Sequence, residues 1–219
     1  SFAHPKQNRP LPQWVLDVMQ SGGATVAANL LTPFGETRQV EVHASPLQSG
    51  EGGERPGSVV VLRDVSELRR MTQNLEYQAS HDELTGLVNR REFNARLQDA
   101  MEQCRKTGQP YALCYVDLDQ FKTVNDICGH HAGDLLLQQI TAGLRQHIRE
   151  HDTLARLGGD EFGLLVVRCP AEQAVAYANE LRGVISEVRF TWSGRVFTGD
   201  ASVGIAMLNH VEGSIDEAL

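Results

Sequence analysis

The chain has 219 residues, enough for one ordinary domain and part of a second, and carries a formal net charge of −8. Its few lysines and arginines form no stripe, which argues against general nucleic-acid binding, and no run approaches the ~20 apolar residues that a membrane span needs. Four cysteines, Cys104, Cys114, Cys128 and Cys169, with no C-x-x-C pair, read as free thiols of a reducing cytoplasm.

Residues 1–12 are polar and rich in proline, as in a loop, and residues 14–19 suit a short helix ended by Ser21-Gly22-Gly23. Three strand-like runs follow at 24–31, 38–44 and 58–62, the first two joined by a hairpin turn at Pro33-Phe34-Gly35-Glu36 and the last two by a long polar stretch at 48–57. Three antiparallel strands running through Arg63-Asp64-Val65-Ser66 into a helix resemble the C-terminal half of a PAS sensor domain, whose ligand the sequence leaves unknown. A helix is expected over 66–79, with Ser66 as its N-cap and Leu68, Met71 and Leu75 on one face. It suits a linker between two domains, packed on its own domain or paired with its copy in a dimer.

Residues 82–87 read as a loop capping a helix from Arg90 to about Lys106, ended by Gly108-Gln109-Pro110. A strand at 111–116 and a short helix come next, then a helix opened by Gly133 with Leu136, Ile140 and Leu144 facing a core. A hairpin pairs 153–157 with 162–167, Pro170 starts a helix reaching about Val188, and strands are expected at 190–192, 196–198 and 201–207. This order predicts an α+β fold, with a central, mostly antiparallel sheet covered by helices. His130-His131 and the pair His147 and His151 lack the Glu or Cys partners of a zinc site and read as surface or capping residues.

Two acidic stretches carry chemistry. In Arg156-Leu157-Gly158-Gly159-Asp160-Glu161-Phe162, the glycines supply the positive φ of a tight turn and leave the backbone open to a phosphate. The two acids at its tip suit a hard cation or, equally, solvent. In the second stretch the apolar run at 111–116 ends in Asp117-Leu118-Asp119. A sheet would hold Asp117 still as a metal ligand, while Asp119 would cap the short helix after it.

Asp117-Leu118-Asp119-x-Phe121-Lys122-x-x-Asn125-Asp126, Gly129-His130-x-x-Gly133-Asp134 and Arg156-x-Gly158-Gly159-Asp160-Glu161-Phe162 resemble, in order and spacing, the motifs of the GGDEF diguanylate cyclases. His81-Asp82-x-Leu84-Thr85-Gly86-Leu87-x-Asn89-Arg90-Arg91 resembles that family's opening motif. The two resemblances together imply three parts: a partial PAS-like domain at 1–65, a signalling helix at 66–80 and a cyclase domain at 81–219. The resemblance to the cyclases also implies a helix and a segment bearing Lys and Arg beyond the last motif, before which this chain stops at Glu217-Ala218-Leu219; weak or absent turnover of this stretch alone is the corresponding expectation.

The implied reaction condenses two GTP molecules to cyclic di-GMP and two pyrophosphates in a homodimer. By position in the motifs, Asp117, the Leu118 carbonyl, Asp160 and Glu161 would hold Mg2+ or Mn2+, and Asp160 would also accept the proton. Lys122 would meet charge on phosphate, Asn125 and Asp134 would read guanine, and Gly158 and Gly159 would lie under the phosphates. Arg149 and Asp152 match the family's product-inhibitory R-x-x-D, although two such residues three apart also suit a surface pair; Arg182 lies nearby without a secure match. The expected protein is cytoplasmic, its parent attached to a membrane only through other segments. The alternative is a GTP- or cyclic di-GMP-binding module that controls a fused EAL-type phosphodiesterase domain.

Overall fold

The computed structural model describes residues 2–3, 25–46 and 58–208. The chain divides into two compact units, Ser1–Leu75 and Glu76–Leu219. The expected helix at 14–19 and the polar stretch at 48–57 lie outside the described residues. Among the described residues no helix is long and apolar enough to cross a membrane.

In the first unit β1 (Phe2–Ala3), β2 (Thr25–Leu31), β3 (Thr37–Pro46) and β4 (Ser58–Asp64) form one antiparallel sheet in that order. Phe2 and Ala3, expected within a loop, pair with Leu30 and Asn29 as a short strand, since backbone pairing needs no sequence signal of its own; the rest of 1–12 lies outside the described residues. The hairpin between β2 and β3 closes through the Gly35 N–H on the Thr32 carbonyl (3.0 Å), with Gly35 at φ +83°. Ala28, Val40, Val42 and Ala44 make the small core of this sheet.

Helix α1 (Ser66–Ser80) buries none of its residues, and Leu68, Met71 and Leu75 are all more than half exposed. Ser66 does not cap it. The Ser66 hydroxyl instead accepts the Gln39 N–H on β3 (2.8 Å), and Asp64 takes the capping part by accepting the Ser66 N–H (2.9 Å).

The second unit is built on a five-stranded sheet of β5 (Val88–Asn89), β6 (Tyr111–Leu118), β7 (Thr153–Gly158), β8 (Glu161–Val167) and β11 (Ala201–Met207). Their order is β11-β6-β8-β7-β5, antiparallel except where β5 runs beside β7. Alternation along β6 sorts its side chains between two helical layers. Leu113 faces α2 (Arg90–Thr107) through Phe93, Leu97 and Met101, while Ala112, Cys114 and Val116 face α4 (His130–Arg145) and α5 (Ala171–Glu187) through Leu137, Ile140, Leu181 and Ile185. The helix α3 (Phe121–Cys128) leads into α4, and β9 (Arg189–Trp192) with β10 (Arg195–Thr198) forms a separate hairpin. The fold is the expected α+β sheet with helices on both faces.

Three helix starts in this unit also differ from expectation. The cap of α2 is the Asn89 side chain, which accepts the Glu92 N–H (3.0 Å), and not the loop before it. α4 begins at His130, so Gly133 lies inside it, where a Cβ would stand 2.0 Å from Asn125 Oδ1 on the neighbouring α3. Asp119 does not cap α3: Gln120 intervenes at φ +59°, and the Asp119 carboxylate accepts the Ser202 hydroxyl on β11 (2.9 Å). The αL turn at Gln120 carries the Asp119 side chain away from the N–H groups of the helix.

Candidate functional site

The antiparallel ladder of β6 and β8 runs from Tyr111 opposite Val167 to Asp117 opposite Glu161, so the acid that ends one strand meets the acid that begins the other. Between β7 and β8 the chain turns at Gly158 (φ +143°) and Gly159 (φ +53°), and the register slips between Arg156 and Gly158. The tip is tied to β6 by the Leu118 N–H, which donates to the Asp160 carbonyl at 3.3 Å. Partial burial, then Asp160, Glu161 and Asp119 in that order, raise the pKa of Asp117 above the ordinary carboxylate value. Carboxylates gathered at one edge repel one another in this way, and a cation between them would relieve the repulsion.

Among the described residues no group of three or more His, Cys, Asp or Glu side chains is placed to hold a metal ion. Glu161 is turned to Arg90, whose Nη2 lies 2.9 Å from its Oε2, and it helps, after burial, to push the Tyr115 phenol up to about 12. The donor set of Asp117, Asp160 and Glu161 fits a hard divalent cation in kind.

Behind this edge, Lys122 is exposed in the first turn of α3 and Asp134 is exposed on α4. Between them Asn125 leans on Gly133, with its Oδ1 buried and lacking a hydrogen-bond partner among the described residues. A buried amide oxygen without a donor is costly, and a ligand offering an N–H would satisfy it.

A sequence profile described as "Diguanylate cyclase, GGDEF domain" matches residues 79–219. The chain belongs to the GGDEF family of diguanylate cyclases.

It is 42% identical over 175 residues to "Probable diguanylate cyclase DgcE" of Escherichia coli, covering 80% of this chain and 16% of that protein. It is 36% identical over 185 residues to "Diguanylate cyclase DgcM" of the same species, covering 84% and 43%. The chain therefore spans less than half the length of these curated relatives. A crystal structure of the coiled coil and GGDEF domain of DgcB from Caulobacter crescentus in complex with c-di-GMP superposes with a TM-score of 0.61 at 26% identity, covering 65% of this chain and 76% of that one.

In this GGDEF domain the R-x-x-D pair sits at the far end of β8 from Glu161. Asp152 Oδ1 accepts the Val167 N–H (3.0 Å), its Oδ2 is buried without a partner among the described residues, and the exposed Arg149 lies with Cζ 5.0 Å from the centre of the Tyr177 ring. Burial first, then Asp152, pushes the Tyr177 phenol up to about 12. Arg182, near the motifs in sequence, pairs with Asp200 (3.3 Å).

Two arginines within the motifs of the GGDEF domain carry contacts that the sequence does not reveal. Arg90 donates from Nε to the Leu157 carbonyl (2.6 Å) as well as pairing with Glu161, and Arg156 bonds both Asp82 and Gly159. The only hint in the sequence is an arginine next to each acidic motif's glycine or asparagine, since the partners are far apart in the chain.

Proposed function

We propose that this chain is the catalytic part of a diguanylate cyclase, condensing two GTP molecules to cyclic di-GMP and two pyrophosphates. The observation that carries the reading is the meeting of Asp117 at the end of β6 with the tip acids Asp160 and Glu161, close enough that these acids raise its proton affinity. Each 3′-hydroxyl attacks the α-phosphate of the other nucleotide; a P–O bond forms as pyrophosphate leaves, and the hydroxyl proton passes to Asp160. Asp117, Asp160, Glu161 and the Leu118 carbonyl offer the oxygen donors that Mg2+ or Mn2+ prefers. A cation held there supplies neutralisation of the triphosphate and polarisation of the attacked phosphorus.

Lys122 meets charge on the phosphates, and Asn125 with Asp134 takes the guanine edge, Asp134 accepting from N1 and N2. No described atom lies within 4 Å of where a Cβ would stand on Gly158 or Gly159, which leaves the tip backbone open to phosphate. Each half-site holds one nucleotide, so the working species is a homodimer. Arg149 and Asp152 form a product-inhibitory site, Arg149 offering two donors to a phosphate or a guanine edge. The four-stranded sheet ahead of α1 is the later half of a PAS sensor, to which no ligand is assigned.

The test is chromatographic analysis of products after the chain, carried in its full-length protein, is incubated with GTP and Mg2+, beside an Asp160→Asn variant. Cyclic di-GMP from the unaltered chain and none from the variant is expected. GTP binding without product from the unaltered chain would point instead to a binding module acting on a fused EAL-type phosphodiesterase domain.

A further inference from the structure

We infer that Arg156 is a positioning residue for the catalytic tip and that Asp82 orients it; the inference rests on the cyclase reading above. The register slips at Leu157, and although Glu161 stays paired with Asp117 and Gly158, the turn residues Gly159 and Asp160 have no partner in the ladder between β7 and β8. The Arg156 guanidinium ties that turn instead. Arg156 donates from Nε (3.0 Å) and Nη2 (2.8 Å) to the single carbonyl of Gly159, the residue before Asp160. Its remaining arm, Nη1, reaches both carboxylate oxygens of Asp82 at 3.2 Å.

This pair is only 14% and 23% exposed, so water competes weakly for it. Asp82 is itself fixed, accepting the Thr85 N–H (2.9 Å) and hydroxyl (2.6 Å), while its backbone N–H donates to Leu87 O and its carbonyl accepts from Gly86 N, each at 2.8 Å. A planar fork held at one end by a rigid acid and at the other by the Gly159 carbonyl sets both the distance and the orientation of the peptide that leads into Asp160. Displacing a reacting group by about 1 Å is enough to cost a large factor in rate. The Arg156 side chain bonds Gly159 and Asp82 and not Asp117, Asp160 or Glu161, so its effect falls on where Asp160 stands.

The experiment uses, in the full-length protein, Arg156→Lys, which keeps the charge and loses the fork, Asp82→Asn, and the double variant. Turnover with saturating GTP and Mg2+ is expected to fall about tenfold or more in each single variant, with KM for GTP within about twofold, because transition-state geometry and not ground-state binding is lost. The double variant should be no slower than Arg156→Lys, since Asp82 acts through Arg156. Independently of turnover, hydrogen exchange at the Leu118 amide, which donates to the Asp160 carbonyl, should quicken about tenfold in both single variants while Leu165 within the ladder is unchanged.

A raised KM with unchanged kcat, multiplied effects in the double variant, or unchanged exchange at Leu118 would overturn the inference. If the unaltered chain makes no cyclic di-GMP, the functional reading falls, and the exchange measurement alone decides the positioning.

Discussion

Asp117 stands directly opposite Glu161 across β6 and β8, and its carboxyl holds its proton more tightly than an ordinary one. A carboxyl whose pKa is raised on folding leaves the folded state at a disadvantage once ionised. The penalty is absent below the ordinary carboxylate range, grows as pH rises through the folded-state pKa, and is full at neutral pH. Asp117→Asn should therefore melt slightly higher than the unaltered chain at pH 7 in EDTA, by less than ~1 kcal/mol because the group is exposed. The same variant should gain less from added Mg2+ and lose cyclase activity. Thermal melts at pH 7 with EDTA and with Mg2+ check this; a lower melting point in EDTA would contradict it.

The contact of Gly133 with Asn125 leads to a second expectation. A Cβ on Gly133 would come within 2.0 Å of Asn125 Oδ1 and 3.1 Å of Phe121 Cζ, so Gly133→Ala must swing the amide away from its buried position. Overpacking of this kind costs about 1–3 kcal/mol, offset by about 1 kcal/mol of helix propensity. The fold should survive while affinity for GTP falls about tenfold, the weight of one lost hydrogen bond to the base. Calorimetric titration with GTP decides it; unchanged affinity would remove Asn125 from the guanine site.

Periodicity and punctuation made much of this legible. The apolar run before Asp117 and the glycines before Asp160 put acids at a strand end and at a hairpin tip, and the sheet sets Asp117 against Glu161. Caps were harder, because they depend on single dihedral angles: Gln120 at φ +59° moved Asp119 from its expected capping place to Ser202, and Asp64 displaced Ser66. The bond from Arg156 to Asp82 spans 74 positions and arises from chain folding alone. Both residues lie in motifs of the family, yet nothing in their spacing pairs them.

Asp82 also predicts a response to acid. Burial pushes its pKa up, but the Thr85 hydroxyl and N–H and then Arg156 outweigh burial and hold it below the ordinary value. A carboxylate with a depressed pKa contributes stability that is full above the ordinary range and is lost as pH falls through the lower, folded-state value. Asp82→Asn should thus flatten the acid limb of the stability curve below pH about 4, while lowering stability at pH 7. Urea unfolding from pH 3 to 7 for both proteins measures it; parallel acid limbs would show that Asp82 does not couple to folding.

Asp152 and Arg149 should separate under mutation although they share one motif. Asp152 accepts the Val167 N–H at the end of β8, so Asp152→Ala leaves a part-buried donor unpaired, at a cost of about 1–3 kcal/mol. Arg149 lies exposed over Tyr177, a contact worth about 0.5–1 kcal/mol at such a site. Both substitutions should relieve inhibition by cyclic di-GMP, yet only Arg149→Ala should do so with its unfolding midpoint nearly unchanged. Inhibition curves with added cyclic di-GMP, set beside urea unfolding, make the comparison. Undiminished inhibition in Arg149→Ala would place the product elsewhere and leave Asp152 with a purely structural task, closing the end of β8.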